Sequence, residues 1–260
     1  MTEQIASEGG HWYHPDGVPC TEVPLKKPAK DGRTTTSPTI KHARLLGLLP
    51  SVTTVYKIKS EPGLTRWLIG RALKYGFDNR NLETVDALLE AYEKEASKPS
   101  DRGTLLHAGM ERLLTGRFLD VEDMAAIKAH TIFSDWLLEY RAKRVGVESS
   151  FGNPALGFGG KVDFIGERED KRFVVDFKFV QKERAPLDKE CVQGAAYNVG
   201  LGNPDGEFHN FLFLESTGEL VEHKTWTREE LLWGWDVFSA AYELWVKYND
   251  YDPREINVTK

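Results

Sequence analysis

A change from helical to strand-like patterning after Gly146 constrains the fold more than any other feature of the sequence. Three consecutive segments are rich in β-branched and aromatic residues and are separated by turn-forming residues. They predict three neighbouring strands. A helix over 189–200, a hairpin around Thr217-Gly218 and a last helix capped by Thr227 follow. The three strand-like segments are VGVESSFG, GFGGKVDFIGE and KRFVVDFKFV.

Helical patterns precede these strands. Ser37-Pro38 predicts a short helix that ends at Gly47, Ser51 caps a second helix, and Pro62-Gly63 opens a third. Further helical stretches are expected over 81–97, 100–115 and 120–144. The order of elements predicts an α/β fold with a central mixed sheet flanked by helices. We expect a largely helical N-terminal region with a turn-rich start over 1–98, and a catalytic core over 99–260.

Composition limits the classes of protein that fit. The N-terminus is polar and acidic, which indicates no signal peptide. No apolar run approaches the ~20 residues that span a bilayer, so no membrane partner is expected, and the two unpaired cysteines favour a cytoplasmic location. The net charge of −6 argues against indiscriminate coating of nucleic acid, but it is compatible with a nucleic-acid enzyme whose metal site is acidic.

Two adjoining strands carry the residues that are candidates for metal binding and catalysis. Side chains alternate along a strand, so Asp176 and Lys178 share one face of KRFVVDFKFV. Counting outward from the turn at 166–171 brings Asp163 beside Asp176. Two opposed carboxylates repel unless a cation lies between them, and Mg²⁺ or Mn²⁺ prefers such oxygen ligands. The carbonyl of Phe177 would add another oxygen.

Lys178 then has a chemical task, because an ammonium beside a metal-bound water can orient the water and stabilise negative charge. The alternative is a salt bridge between Asp176 and Lys178 on a solvated sheet face. A bare Asp-x-Lys is common enough to leave that alternative open.

The Asp163…Asp176-x-Lys178 pattern resembles the PD-(D/E)XK nuclease superfamily. RGTLLHAGMERLL resembles the upstream motif of its RecB-type branch, with His107 at the metal-binding position, and CVQGAAYN resembles the downstream Gln-x-x-x-Tyr motif. The segment LLPSVTTV…EPGLTRWL is similar to phage exonucleases and mitochondrial genome maintenance exonucleases. Val162 replaces the proline of the family name, and the second acid is Asp176 rather than Glu; both departures occur within that branch.

The resemblance implies a restriction-endonuclease-like fold and a role for each matched residue. His107, Asp163, Asp176 and the Phe177 carbonyl would bind Mg²⁺ or Mn²⁺, and Lys178 would act on the attacking water. Gln193 and Tyr197, four residues apart on one helix face, would position a DNA strand.

Further candidates carry weaker signals. Glu111 lies four residues after His107 and is expected either to support the site or to be a surface acid. Glu148 is expected to line the site, Arg102 to contact the DNA backbone, and Ser51 to hold a phosphate at a helix start. Each also has an ordinary structural explanation: a surface acid, an exposed arginine or a helix cap. Trp67, Tyr75 and Phe77 are candidate surfaces for stacking bases.

The expected function is metal-dependent DNA exonuclease activity in phage or bacterial recombination or repair, in a bacterial or phage-infected cell. The expected partners are DNA ends, with a single strand passing through the site, and a recombination protein. Two alternatives remain: a structure-specific endonuclease, and a DNA-end-binding module with a degenerate site.

Overall fold

The computed structural model describes residues 11–29, 32–58, 74–76, 78, 102–118 and 121–257. The helices expected from Pro62 onward and over 81–97 lie outside these residues, as do Trp67, Phe77 and the proposed boundary between residues 98 and 99. Tyr75 lies in a described helical turn and is half-buried. Within the described part of the chain, none of the helices has both the length and the apolar character needed to cross a membrane.

A five-stranded mixed sheet forms the centre of the fold. Its spatial order is β10-β9-β8-β7-β6, with β8 and β9 parallel and the other pairs antiparallel. The three strand-like segments found in the sequence are confirmed, as is the hairpin of β9 and β10. The strands are β6 (Lys143–Asn153), β7 (Phe158–Arg168), β8 (Lys171–Val180), β9 (Glu207–Leu214) and β10 (Leu220–Trp226).

Helices cover both faces of this sheet. The N-terminal helices are α1 (Ile40–Leu46) and α2 (Val52–Tyr56), and residues 102–114 form α3. The later helices are α4 (Met124–Glu139), α5 (Asp188–Gly200), α6 (Arg228–Asn249) and α7 (Pro253–Asn257). One apolar cluster joins α5 and α6 to the sheet, and a second joins α3 and α4 to its other face.

The N-terminal segment packs into the first of these clusters. Trp12, Leu48 and Val55 are buried in it together with Phe158 of β7 and Phe238 of α6. The described residues of this segment include five two-residue strands, where only turns and helices were predicted. They are too short to show side-chain alternation in the sequence. They are β1 (Trp12–Tyr13), β2 (Pro19–Cys20), β3 (Val23–Pro24), β4 (Thr35–Thr36) and β5 (Leu49–Pro50).

Three predicted helix limits were wrong. The helix predicted over 120–144 begins after Asp123, whose carboxylate caps it by accepting from two backbone amides. It ends before Arg141, whose φ of 54° turns the chain into β6. Helix α1 is preceded by Thr39 rather than Ser37, and the Thr39 N–H donates to His42 Nδ1 in the first turn. The predicted end at Gly47 is confirmed.

Phe133 of α4 holds the second cluster together. Its ring is fully buried and makes edge-on contacts with Phe164, Phe177 and Phe211, at centroid distances of 5.0, 4.8 and 5.2 Å. These rings belong to β7, β8 and β9, so one side chain of α4 packs against the three central strands on one face of the sheet.

Phe133→Ala should lower the free energy of unfolding by about 3–5 kcal/mol, because it leaves a cavity among rings that cannot collapse. Urea unfolding measures the change. Phe118→Ala is the matched control, since Phe118 is 58% exposed, and it should cost less than about 1 kcal/mol. Equal effects of the two variants would contradict the central role of Phe133.

Candidate functional site

A buried ion pair on β8 is the first component of the site. Lys178 donates to Asp176 at 2.8 Å, as expected for side chains on one face of a strand. The second Asp176 carboxylate oxygen accepts from Asn210 of β9 at 2.9 Å. Burial raises the pKa of Asp176 to about 6, although Lys178 opposes the rise. Burial disfavours charge on Lys178 too, but Asp176 and Asp163 raise the pKa of its ammonium overall.

Asp163 lies where the pairing of β7 with β8 stops. The last paired residues are Phe164 and Val175, and beyond them the Asp163 carboxylate accepts the backbone N–H of Phe177 at 2.7 Å. Val162 and Phe164 lie in different apolar clusters although they are two residues apart. The alternation of faces is therefore interrupted at Asp163, and its side chain reaches into the gap between the strands.

The gap also receives a backbone carbonyl. The N–H and C=O of one residue point to the same side of an extended strand. Because the Phe177 N–H faces Asp163, the Phe177 carbonyl opens toward the same gap. The sequence prediction that Asp163, Asp176 and the Phe177 carbonyl are neighbours agrees with this arrangement. Their coordination of a metal stays a prediction.

Helix α3 supplies the imidazole of the site. His107 Nδ1 lies 3.7 Å from an Asp163 carboxylate oxygen, and the ring packs edge-on against Phe179. The helix approaches α4 closely at Gly109, where a Cβ would lie 2.7 Å from the Cβ of Ala126. A larger residue there would push α3 outward and carry His107 with it.

Glu148 of β6 completes a group of three ligand-bearing side chains. Donor atoms of His107, Glu148 and Asp163 all lie within 4.8 Å of one another. Burial, followed by the charge of Asp163, raises the pKa of Glu148 to about 7. Glu148 also pairs with Lys161 of β7. We refer to His107, Glu148 and Asp163 as the ligand group.

The ligand group suits a small divalent cation. One imidazole nitrogen and two carboxylates are donors that Mn²⁺ accepts readily and Mg²⁺ accepts in part. Asp176 is set back from the group, and its two oxygens are engaged by Lys178 and Asn210. The structure therefore supports Glu148 as a metal ligand more strongly than the sequence did. Coordination by Asp176 would require it to exchange one of these hydrogen bonds.

Helix α5 brings Gln193 and Tyr197 to the same region, as predicted. Gln193 Nε2 donates to the Tyr197 hydroxyl at 2.7 Å. Burial, and then the nearby charge of Asp176, raise the pKa of Tyr197 well above its ordinary value. The helix can approach β7 because residue 160 is glycine, where a Cβ would lie 2.9 Å from the Tyr197 ring.

The remaining candidates have structural partners. Arg102 pairs with Asp123, the cap of α4, and also donates to the Glu215 carbonyl. Ser51 is buried and caps α2 by accepting from the Thr54 amide. Helix capping thus accounts for Ser51, as the sequence alternative held. The arginine fastens two elements together, so DNA contact by Arg102 would compete with its role in the fold.

Glu111 lies at the border of the site. It is paired with Arg117 at 3.3 Å and is 38% exposed, yet its charge still acts on Lys161. It is not one of the three members of the ligand group. A supporting role for Glu111 remains a prediction.

Sequence reasoning missed three residues that shape the site. Asn210 orients Asp176 and is itself held by the indole N–H of Trp226 at 2.6 Å. Lys161 pairs with Glu148, and Tyr13 of β1 lies close enough for the charge of Glu148 to act on its phenol. A polar residue inside the apolar strand FHNFLFL was an available signal for Asn210. Tyr13 had none, because its contact joins distant parts of the chain.

Comparisons with known proteins do not identify the chain. No protein-family model matches its sequence, and neither does any curated protein. Among solved structures, one described as the crystal structure of SSO0001 matches with 12% identity, covering 65% of this chain and 69% of that one, at a TM-score of 0.31. A similarity of that size carries no weight, so any proposed function has to be supported by the geometry of the site.

Lys178→Met should destabilise the metal-free protein, because it leaves the Asp176 carboxylate buried without the ammonium that pairs with it. The folded-state pKa of Asp176 lies above its unfolded value, so this group favours the fold at low pH and ceases to do so as pH rises through about 6. Loss of Lys178 raises that pKa further. The deficit of the variant should therefore widen as pH rises, to about 3 kcal/mol near pH 8.

Urea unfolding in EDTA near pH 5 and near pH 8 measures this deficit. Lys182→Met is the control, since Lys182 is exposed, and it should change little at either pH. A deficit for Lys178→Met that is the same at both pH values would show that Lys178 does not stabilise the Asp176 charge.

Proposed function

We propose that the protein is a metal-dependent nuclease that hydrolyses DNA phosphodiester bonds, with a restriction-endonuclease-like fold of the RecB-type PD-(D/E)XK branch. One observation carries the proposal. The Asp176–Lys178 pair is largely buried and lies beside Asp163. The Asp163 carboxylate accepts the Phe177 N–H, and one of its oxygens lies 3.7 Å from His107 Nδ1. A simple salt bridge on a solvated face would not be buried or adjoin two further ligand-type side chains.

The residues of the site divide the work of phosphodiester hydrolysis. His107, Glu148 and Asp163, with the Phe177 carbonyl, would hold Mg²⁺ or Mn²⁺, and Asp176 would join them by exchanging one of its hydrogen bonds. When bound, such an ion supplies activation of water and neutralisation of phosphate charge. Lys178 lies 2.8 Å from Asp176 and is about a quarter exposed, which allows its ammonium to donate both to that carboxylate and to a water on the open side.

This position defines the role of Lys178. A donor fixed before the reaction stabilises the hydroxide form of the water and the charge that develops on the phosphate oxygens. Asn210 donates to the second oxygen of the Asp176 carboxylate, so the carboxylate that orients Lys178 is itself held in place. Gln193 and Tyr197 project from α5 beside Asp176 and would position the DNA strand.

We favour an exonuclease in phage or bacterial recombination or repair, acting with a recombination partner. The support is the similarity of the N-terminal segment to exonucleases and its position in the fold. Ser51 beside β5 pairs with Gly159 at the start of β7, and Tyr13 lies against Gly159, so the segment borders the strand that carries Asp163. A structure-specific endonuclease is the second candidate. The complete Asp163, Asp176 and Lys178 set argues against a degenerate DNA-end-binding module.

Cleavage should require Mn²⁺ or Mg²⁺ and should stop in EDTA. Ca²⁺ should bind without supporting cleavage, since its larger and looser coordination misplaces the water. Asp163→Asn, Asp176→Asn and Lys178→Met should each lower the rate at least ~100-fold, because each removes a group that acts on the water or the ion. Rates are measured on end-labelled DNA.

Circular dichroism establishes that each variant is folded. The control is Glu219→Gln, which removes an exposed carboxylate paired with Lys128 and should leave the rate unchanged. Wild-type rates in the three site variants, or undiminished cleavage in excess EDTA, would refute the proposed metal mechanism.

Cleavage should also depend on a free DNA end, because a strand bordered by the N-terminal segment has to enter the site by threading. Linear single strands are compared with the same strands circularised, under identical Mn²⁺ and protein concentrations. The linear form should be degraded and the circle should persist. Equal rates on both would establish endonuclease action and would favour the second candidate.

A further inference from the structure

The second lysine–carboxylate pair of the site, Lys161 with Glu148, has no task in the cleavage mechanism given above. Lys161 lies on β7 two residues before Asp163, and its ammonium contacts a Glu148 carboxylate oxygen. The Lys161 side chain is 46% exposed, whereas that of Glu148 is 17% exposed. The lysine therefore lies on the open side of the site, while the carboxylate belongs to the ligand group.

An unfavourable backbone conformation holds Glu148 in place. Its φ is 48°, between the regularly paired residues Val147 and Ser149 of β6. A left-handed backbone costs an L-residue roughly 1–2 kcal/mol, and glycine or asparagine tolerates it better than glutamate does. What this conformation achieves is a carboxylate within 4.8 Å of donor atoms on His107 and Asp163. Strain of this kind at a candidate site points to a function for the side chain.

A divalent cation and the Lys161 ammonium compete for the same carboxylate. A cation within reach of the ligand group attracts Glu148 and repels the ammonium. Lys161 has a flexible four-carbon stem, so its ammonium can leave Glu148 without movement of β7. Glu111 and Asp163 are the other carboxylates whose charges act on Lys161. Asp163 also faces the cation, and Glu111 is paired with Arg117.

We propose that Lys161 binds a phosphate of the substrate backbone and that Glu148 withholds it until a divalent cation occupies the ligand group. The identity of the substrate rests on the nuclease function proposed above. In this arrangement Lys161 is a positioning residue: it holds a phosphate beside the cleaved bond. Cation and DNA then strengthen each other's binding, because either one draws apart the Lys161–Glu148 pair.

Binding of a fluorescent single-stranded oligonucleotide in EDTA, measured by anisotropy over a series of NaCl concentrations, tests this exchange. Glu148→Gln weakens the hold on Lys161 without any metal. It should bind more tightly than the wild type and steepen the plot of log K against log salt by about 0.7, the increment for one added phosphate contact on a single strand. Adding Ca²⁺ to the wild type should give the same steepening.

Two further variants separate a released lysine from a general change of charge. Glu148→Gln with Lys161→Met should return the affinity and the slope to wild-type values. Glu148→Gln with Lys143→Met should keep the gain, since Lys143 is an exposed lysine at the far end of the β6–β7 ladder, opposite Glu167. If Glu148→Gln does not fold, Glu148→Gly replaces it, because glycine suits the left-handed backbone.

The inference is overturned if Glu148→Gln gains no affinity, or if the gain persists without Lys161. Cleavage by the wild-type protein in Mn²⁺ is measured in parallel. If the wild type cleaves DNA but Glu148→Gln shows no gain in affinity, only the proposed role of Lys161 is overturned. Absence of both binding and cleavage in every variant overturns the proposed function as well.

Discussion

The hydrogen bond from the Phe177 N–H to the Asp163 carboxylate is the interaction on which the site depends. Strands β7 and β8 are paired as far as Phe164 and Val175, and at the next position a side chain replaces a backbone acceptor. The replacement opens the sheet without leaving the Phe177 amide unsatisfied, which would cost about 1–3 kcal/mol in the interior. A gap in the sheet with backbone and carboxylate oxygens along its edges is the result.

Paired lysines balance the charge of two carboxylates at the gap. Asp176 is buried and Glu148 is half-buried, and they pair with the ammonium groups of Lys178 and Lys161 respectively. Removing one partner of such a pair leaves an uncompensated charge, so the pairs hold the carboxylates in place. The two lysines differ in setting: the Lys178 side chain is 27% exposed beside a fully hydrogen-bonded Asp176, whereas that of Lys161 is 46% exposed. This difference separates an ammonium held beside a buried carboxylate from one that is free to move on the open side of the site.

Much of the core could be predicted from local patterns. Alternation along KRFVVDFKFV placed Asp176 and Lys178 on one face. The turn predicted at 166–171, which the structure narrows to 169–170, brought β7 beside β8. Capping signals located Ser51 and Thr227 correctly because they act within one helical turn. The position of Glu148 was not predictable in this way. Its left-handed backbone lies between regularly paired residues of β6, and glutamate itself gives no sign of such a conformation. The short strands of the N-terminal segment were missed because two residues are too few to show alternation, and one pairing, of Trp12 with Pro50, also joins distant parts of the chain.

We have proposed that His107, Glu148 and Asp163 hold a divalent cation at the gap between β7 and β8. Anomalous diffraction from crystals soaked in Mn²⁺ and measured near the manganese absorption edge tests it most directly. We expect an anomalous peak within coordination distance of the His107 imidazole and the Asp163 carboxylate, about 2.0–2.3 Å from each. We also expect that the Lys161 ammonium has moved away from Glu148 in those crystals. An anomalous map with no peak in this gap, from crystals in which the ligand group is ordered and open to solvent, would contradict it.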